Sequence, residues 1–334
     1  MNKNKIIEKI KTSECIIDAH SHIGINYKNY VNYSYPYCLS FEDLVVRMKH
    51  LRISYSVIFP MDSSYYTVEP GASKEIKTSE VFSKFPYEIE NQSMLKEIYE
   101  IFPEYSDIAL PFVMFDPSRK TKEQAELLEK LYKEYPLFGL KTVPTYIQAF
   151  VKDLETKGRP ILDFAVKYSL PITFHSSYYK GDPWASVFDI IKFAEKYPEI
   201  RICIAHSARF VKSVLERASK LDNCFVDLSA FHIHCILAQQ GSPHISLERE
   251  RMEADYSEPS SVMEKIVSNY PDTIIWGSDT PANYFIQKFY DVSGNLIDMS
   301  LKSSFDMEMK ILKSLSEDKI SKITYKNTLK YLFG

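Results

Sequence analysis

The chain has 334 residues, of which 45% are hydrophobic and 25% charged, and its formal net charge is -3 at pH 7. This balance gives no electrostatic basis for binding nucleic acid or an anionic membrane, and no apolar run is long enough to span a bilayer. The five cysteines form no CxxC pair and indicate reduced thiols, so we expect a cytoplasmic protein. We also expect residues 1–334 to fold as a single domain.

The first predicted strand leads into a pair of histidines. Apolar residues 15–17 are followed by the sequence Asp-Ala-His-Ser-His at residues 18–22. Successive side chains of a strand point to opposite faces, so His20 and His22 point to the same side. Two neutral imidazoles on one side suit a borderline-soft cation such as zinc. An HxH pair alone is weak evidence for a metal site, so this interpretation depends on which residues end the later strands.

Seven further apolar runs, rich in β-branched residues, also predict strands. Stretches with helical spacing of apolar residues separate most of them. Eight repeats of strand and helix predict a (β/α)8 TIM barrel, in which both strand faces are buried and the strands are almost entirely apolar. The predicted strands are residues 15–17, 56–60, 108–113, 138–143, 170–175, 201–206, 223–229 and 273–279, and the predicted helices are residues 41–51, 121–135, 161–168, 185–197, 211–221 and 260–270.

Three of the later strands end in side chains that can bind a metal. His175, His206 and Asp279 close the fifth, sixth and eighth predicted strands. The carboxyl ends of barrel strands meet around one mouth, where barrel proteins carry their sites. The sequence therefore predicts that these three residues converge with His20 and His22.

Two long connections, after the second and seventh strands, are expected to shape the mouth of the barrel. They cover residues 61–107, with a predicted helix at 91–102, and residues 231–258. Both exceed ordinary βα loop lengths, which favours lids. The second connection opens with another HxH pair, His232 and His234, without the partners of a structural zinc site. We expect His232 to contact the substrate there.

The motifs around these residues resemble those of the amidohydrolase superfamily, and within it the amidohydrolase-related group that includes aminocarboxymuconate semialdehyde decarboxylase. The resemblance extends from Asp18 to nearly the C-terminus. It rests on the sequences DAHSH at 18–22, FHSS at 174–177, IAHSARF at 204–210, VDLS at 226–229 and WGSDTP at 276–281.

This resemblance implies a mononuclear metal enzyme. One divalent metal, zinc or alternatively manganese, would be held by His20, His22, His175 and Asp279. Asp279 would also accept a proton from the metal-activated water and deliver it to the leaving group. His206 would polarise the substrate or transfer a proton beside the metal, or act as a ligand if a second metal binds. The implied reaction is hydrolysis at a C–N or C–O carbonyl centre of a small molecule such as an amide or a lactone.

Lys141 lies in the fourth predicted strand. Many members of the superfamily use a carboxylated lysine on that strand to bridge two metals, but the decarboxylase-like group resembles this segment without needing the bridge. One metal is the favoured interpretation, with the Lys141 bridge as the minority alternative. The structural alternative is a lysine in the barrel interior that pairs with a carboxylate.

Residues that follow strands at the same mouth are expected to contact the substrate. Arg119 and Arg209 suit bidentate binding of a carboxylate, and Tyr178 could form part of a wall around an aromatic or unsaturated body.

Two other functions remain open. A nonoxidative decarboxylase of an unsaturated or aromatic carboxylic acid would use the same metal ligands; a carboxylate clamp in an apolar pocket would favour it. A non-catalytic barrel that binds a small molecule is a third interpretation, against which the intact set of metal-binding side chains argues. Because family members frequently associate, a homodimer is also compatible with the resemblance.

Overall fold

The computed structural model describes residues 3–31, 33–62, 83–290 and 296–334. Within these ranges one sheet contains nine strands: β1 (Ile17–Ile25), β2 (Cys38–Leu39), β3 (Tyr55–Pro60), β4 (Ala109–Met114), β5 (Gly139–Thr142), β6 (Ile172–Phe174), β7 (Ile202–Ile204), β8 (Cys224–Asp227) and β9 (Ile274–Ile275). All except β2 run parallel, and each bonds to the next in chain order. The short β2 lies antiparallel against β1.

The sheet closes into a barrel through the segment that follows β9. The His22 N–H donates to the Thr280 carbonyl oxygen at 2.7 Å, and the Asp279 N–H donates to the His20 carbonyl oxygen at 2.8 Å. Gly277 permits this approach, because a Cβ atom there would lie 2.5 Å from the Cβ of His20. The predicted (β/α)8 TIM barrel is therefore confirmed.

The described residues form α-helices, most of which cover the outside of the barrel and bury the outer strand faces. They are α1 (Lys3–Lys11), α2 (Tyr27–Val31), α3 (Phe41–Leu51), α4 (Glu88–Lys96), α5 (Thr121–Glu134), α6 (Pro144–Ile147), α7 (Arg159–Lys167), α8 (Val187–Lys196), α9 (Lys212–Ala218), α10 (Phe231–Gln239), α11 (Pro259–Asn269), α12 (Phe305–Leu312), α13 (Glu317–Ser321) and α14 (Asn327–Phe333). Burial on both faces is the reason that β3 and β4 have only buried residues.

Helix α3 illustrates how local sequence sets an element. The Ser40 hydroxyl accepts a hydrogen bond from the Asp43 N–H at 3.0 Å and caps the first turn. The apolar residues at helical spacing, among them Leu44 and Met48, are buried against the sheet. The prediction of a helix over residues 41–51 is confirmed to the residue.

The amino-terminal end of the barrel is filled with aromatic side chains. The rings of Phe112 and Phe225 contact Tyr331 of α14, with centroid separations of 6.2 and 5.6 Å. The Tyr331 hydroxyl lies 2.6 Å from Thr173 Oγ1. Since this end is packed, the functional site lies at the opposite end, where the strands have their carboxyl termini.

The first strand is longer than the sequence predicts. Residues 15–17 were expected to end it before the histidines, whereas β1 continues to Ile25, so His20 and His22 lie within the strand. Pairing explains the difference, because β3 stays aligned with β1 up to Ile23, after a shift of register between Asp18 and Ser21.

The second difference is a hairpin that is not predicted from the sequence. It consists of β10 (Phe285–Tyr290) and β11 (Leu296–Leu301), which pair antiparallel after the last barrel strand. The long connection after the second barrel strand contains residues 63–82, which lie outside the described residues. The helix predicted at 91–102 begins earlier, at Glu88, and continues as a π-helical turn, Glu97–Ile101.

The connection after the seventh barrel strand begins with α10 and is otherwise mostly irregular. None of the helices in the described ranges is long and apolar enough to cross a membrane.

Candidate active site

Three side chains converge at the carboxyl end of the barrel. His20 Nε2 lies 3.2 Å from His22 Nε2, and Asp279 Oδ1 lies 3.2 and 3.4 Å from these two nitrogens. The atoms that could bind a metal all lie within 4.8 Å of one another. This is the closest grouping that the predicted metal residues form.

The hydrogen-bond partners of the two imidazoles determine which nitrogen carries a proton. His20 Nδ1 lies 2.8 Å from Asp227 Oδ2, and His22 Nδ1 lies 3.4 Å from the Pro60 carbonyl oxygen. Both partners are acceptors, so each Nδ1 carries the proton and each Nε2 presents a lone pair.

The donor chemistry of this cluster fits a divalent cation. Two imidazole lone pairs and a carboxylate oxygen face one another, and each of them is an acceptor. Nitrogen and carboxylate oxygen atoms are common ligands of zinc, and manganese also accepts both.

Asp18 and Asp279 are positioned by the closure of the barrel. Asp18 Oδ1 accepts hydrogen bonds from the His20 and Ser278 N–H groups at 3.0 and 2.9 Å, and Oδ2 accepts one from the Ser278 hydroxyl at 2.6 Å. Asp18 thereby ties β1 to the segment that carries Asp279. Asp279 itself has a positive φ of 61°, which turns its side chain towards the histidines of β1.

His206 begins an unusual left-handed turn after β7. The five residues 206–210 all have φ between 47° and 63°, although none is glycine. A left-handed conformation costs about 1–2 kcal/mol per residue, so the surrounding structure must hold this turn in place. The turn places His206 Nδ1 3.9 Å from Asp279 Oδ2 and buries the side chain of Arg209.

A directed chain of hydrogen bonds starts at Arg209. Its guanidinium donates to His175 Nε2 at 3.2 Å, so His175 Nδ1 carries the proton and donates to His206 Nε2 at 2.9 Å. His206 Nδ1 then donates to the Ser229 hydroxyl at 2.9 Å, and that hydroxyl donates to Asp227 Oδ1 at 2.5 Å. This series of hydrogen bonds ends on the Asp227 carboxylate, which also orients His20.

The surroundings of this series of hydrogen bonds keep His175 and His206 neutral. Burial, followed by the charge of Arg209, lowers the pKa of His175 well below the ordinary value. Burial and the neighbouring His175 do the same for the pKa of His206. His175 Nε2 is occupied by its hydrogen bond from Arg209. His175 therefore lies outside the cluster formed by His20, His22 and Asp279.

Lys141 lies directly beside the cluster. Its Nζ is 3.2 Å from His20 Nε2 and 4.5 Å from the centroid of the Phe59 ring. Burial lowers the pKa of its ammonium group to about 8. The side chain is thus a buried ammonium group that donates a hydrogen bond, at the position predicted for a bridging lysine in the two-metal alternative.

The residues predicted to contact substrate are distributed differently. Arg209 lies in the wall of the cavity above the cluster. Arg119 instead pairs with Asp116 at 2.6 Å, and the Tyr178 hydroxyl donates to Glu250 at 2.7 Å. His232 Nδ1 lies 3.0 Å from the Ser303 hydroxyl. The structure therefore places Arg119, Tyr178 and His232 outside the lining of this cavity.

His234, rather than His232, faces the cavity. Its Nε2 accepts a hydrogen bond from Arg209 at 2.8 Å. Helix α10 begins at Phe231, so the residues at positions 230, 233, 234 and 237 share one face, and all four line the cavity. Helical spacing applied from the Ala230–Phe231 boundary would have identified His234.

Asp227 lies in the VDLS motif at 226–229, and the sequence does not predict its contacts. It accepts from His20, from the Ser229 hydroxyl and from the His206 N–H at 2.9 Å. Burial opposes its ionisation, yet His20 and Lys141 help to hold the pKa of this carboxyl at about 2. The signal in the sequence was its place at the end of the predicted seventh strand.

A cavity of about 320 Å³ opens above these residues. Its polar side is formed at the strand ends by His22, His206, Arg209 and Asp279, among others. Its apolar side comes from α10 and the β10–β11 hairpin. A small molecule in this cavity would have one end at the charged cluster and the other against apolar side chains.

Comparison with solved structures shows the same fold. The chain is similar to a probable 2-pyrone-4,6-dicarboxylic acid hydrolase from Acinetobacter baumannii, crystallised with citric acid bound, at 13% identity and a TM-score of 0.58, covering 96% of this chain and 99% of the other. It is also similar to 2,6-dihydroxybenzoate decarboxylase from Rhizobium, at 11% identity and a TM-score of 0.60, with coverage of 96% and 99%.

A third similar structure is a variant of 5-carboxyvanillate decarboxylase from Novosphingobium aromaticivorans with bound manganese. Its identity is 10% and its TM-score 0.58, and the alignment covers 96% of this chain and 97% of the other. None of the curated proteins matches the sequence. The amidohydrolase family model matches residues 17–332, which include the barrel strands and the His20, His22 and Asp279 cluster. The chain therefore belongs to the amidohydrolase family of enzymes.

Proposed function

We propose that this enzyme is a metal-dependent hydrolase that acts on a C–N or C–O bond at the carbonyl centre of a small molecule, such as an amide or a lactone. The observation that carries the proposal is the double role of the Asp279 carboxylate. Its Oδ1 faces the lone pairs of His20 and His22, and its Oδ2 lies 3.9 Å from His206 Nδ1. One carboxylate thus joins a cation site to a second group that can carry a proton.

His20, His22 and Asp279 would hold the cation, with zinc as the favoured metal and manganese as the alternative. His175 becomes a fourth ligand only by exchanging its hydrogen bond from Arg209 for the metal. Lys141, beside His20, stays the minority alternative as a bridge to a second metal. When bound, such a cation acts as a Lewis acid that activates water and polarises a carbonyl oxygen.

The side chains around the cation would move the protons. Asp279 Oδ2 accepts a proton from the attacking water and delivers it to the leaving nitrogen or oxygen. The His206 Nδ1–H beside it would stabilise negative charge that develops on the carbonyl oxygen, by exchanging its hydrogen bond to the Ser229 hydroxyl for one to the substrate. Arg209 holds His175, which holds His206, so the ring that must face the substrate has a fixed orientation.

A second candidate function is nonoxidative decarboxylation of an unsaturated or aromatic carboxylic acid. The cavity favours it by combining the Arg209 guanidinium, which can bind a carboxylate, with an apolar wall. Because the Arg209 Nε and NH2 groups already donate to Ser176 and His175, and one NH1 hydrogen donates to His234, the second NH1 hydrogen would make this contact.

Isotope labelling of the reaction separates the two functions. Metal-loaded enzyme is incubated with lactones, amides and hydroxybenzoates in H₂¹⁸O, and products are analysed by mass spectrometry. Hydrolysis places one ¹⁸O atom in the product acid, whereas decarboxylation releases CO₂ and places a solvent hydrogen on carbon. The His22→Ala variant should lose whichever reaction occurs, whereas the control His50→Ala, altered at an exposed histidine that pairs with Asp306, should keep it. CO₂ release without ¹⁸O incorporation would refute the hydrolase and establish the decarboxylase.

A further inference from the structure

The β10–β11 hairpin has one face in the cavity and one in solvent. Phe285 and Gln287 of β10 line the cavity, as do Met299 and Leu301 of β11. The residues that alternate with them are exposed, as expected for strands with a period of two: Ile286, Lys288, Asp298 and Ser300. The inner face of the hairpin is therefore a wall of the cavity.

Cross-strand pairing fixes the arrangement of this wall. Phe285 lies opposite Leu301, and Gln287 lies opposite Met299. Leu301 is 5% exposed and packs with Ile233 of α10 in one apolar cluster, which Phe285 and Met299 also contact. The hairpin is thus attached to α10, and the position of its inner side chains is set by packing.

The wall is chemically different from the opposite side of the cavity. The strand ends contribute charged and hydrogen-bonding groups such as Arg209 and Asp279, while the hairpin contributes three apolar side chains and the amide of Gln287. A volume of about 320 Å³ is at the lower end for small-molecule sites. Such a cavity suits a ring-sized body with a polar reacting group at one end.

We propose that the inner face of the hairpin determines substrate specificity by limiting the length and polarity of the substrate body. The Gln287–Met299 pair contacts the end of the molecule that lies away from the reacting group. The reacting carbonyl or carboxylate group faces His206 and Asp279; this orientation rests on the proposed function. The substrate class is then a compact, ring-bearing carbonyl compound or carboxylate with a short substituent.

Binding of a series of benzoates to the metal-loaded enzyme tests the proposal without requiring turnover. Dissociation constants for benzoate, 4-methylbenzoate and 4-butylbenzoate are measured by calorimetry. The unaltered enzyme should bind the butyl compound at least about tenfold more weakly than the methyl compound, and Met299→Ala should remove that difference. Ser300→Ala, changed at the neighbouring outward position, should behave like the unaltered enzyme.

A polarity change provides a second variant that preserves side-chain size. The unaltered enzyme should bind 4-hydroxybenzoate more tightly than 4-methylbenzoate. Gln287→Leu should reverse this preference, while Ile286→Ala should leave it unchanged. Identical profiles for Met299→Ala and Ser300→Ala, together with no effect of Gln287→Leu, would overturn the proposal. So would failure of the whole series to bind. Normal binding without any catalysis would instead contradict the proposed function and leave the role of the hairpin intact.

Discussion

Asp227 accepts a hydrogen bond from His20 Nδ1 at 2.8 Å, although the two residues lie 207 positions apart in the chain. This contact fixes the His20 tautomer that presents the Nε2 lone pair to His22 and Asp279. The same carboxylate receives the chain of hydrogen bonds that runs from Arg209 through His206. Asp227 therefore links the orientation of the cation site to that of the proposed proton-carrying group.

Replacing Asp227 by Asn should weaken metal binding. The amide can present an N–H group to His20 Nδ1, which would move the ring proton to Nε2 and remove a ligand lone pair. Loss of such an orienting partner lowers metal affinity by about 10–100-fold. Competition with a chromogenic chelator measures the affinity, with the exposed Asp222→Asn as control. Equal affinities in the two variants would show that Asp227 does not orient His20.

The Asp279→Asn variant should fold normally and lose most activity. The amide cannot accept a proton from water, and removal of a general base costs about 10²–10⁴-fold in rate. Turnover is measured on metal-loaded protein, and circular dichroism verifies the fold. The exposed Asp306→Asn is the control. Near-normal turnover of Asp279→Asn would exclude the proposed proton transfer.

Gly277→Ala should destabilise the closure of the barrel. The added Cβ would meet His20 Cβ at 2.5 Å and the His20 backbone nitrogen at 2.9 Å. Overpacking of this kind costs about 1–3 kcal/mol, and it should also displace His20 and reduce metal content. Urea unfolding measures the loss. In the control Gly181→Ala the added atom meets only the Tyr179 ring among its nearest neighbours, and that side chain can move.

Glu308 should make the stability depend on pH. Burial raises the pKa of its carboxyl to about 8, while an unfolded glutamate titrates near about 4.3. Between these values the folded chain keeps a proton that the unfolded chain releases, so this residue lowers stability as pH rises, by up to about 1.4 kcal/mol per pH unit.

The Glu308→Gln variant should remove this contribution. Its free energy of unfolding, measured by urea titration from pH 5 to 8, should fall less steeply than that of the unaltered enzyme. Glu317→Gln, at an exposed position of α13, should retain the original slope. Parallel curves for all three proteins would mean that Glu308 is ionised in the folded state.

The barrel could be predicted because its strands are buried on both faces and therefore form continuous apolar runs. The hairpin could not, since Gln287, Lys288 and Asp298 interrupt its apolar pattern and its inner face meets a cavity. The choice between His232 and His234 depended on where α10 begins, which apolar periodicity leaves uncertain by a few residues.

The contacts of Arg209 could also not be predicted from the sequence. They depend on a left-handed turn over residues 206–210 that contains no glycine to indicate it. The convergence of His20, His22 and Asp279 was predictable because each lies at or just beyond the end of a predicted barrel strand. Their tautomers required the positions of Asp227 and Pro60, which only the folded chain supplies.

Metal content per chain is the measurement that tests the central claim most directly. Elemental analysis of tag-free protein, purified without chelators, should give about one zinc or manganese per chain, and His20→Ala or His22→Ala should reduce it strongly. About two metals per chain would instead favour the Lys141 bridge. If the unaltered enzyme held no divalent metal even after reconstitution, or if the variants kept it in full, the cation site at His20, His22 and Asp279 would be contradicted.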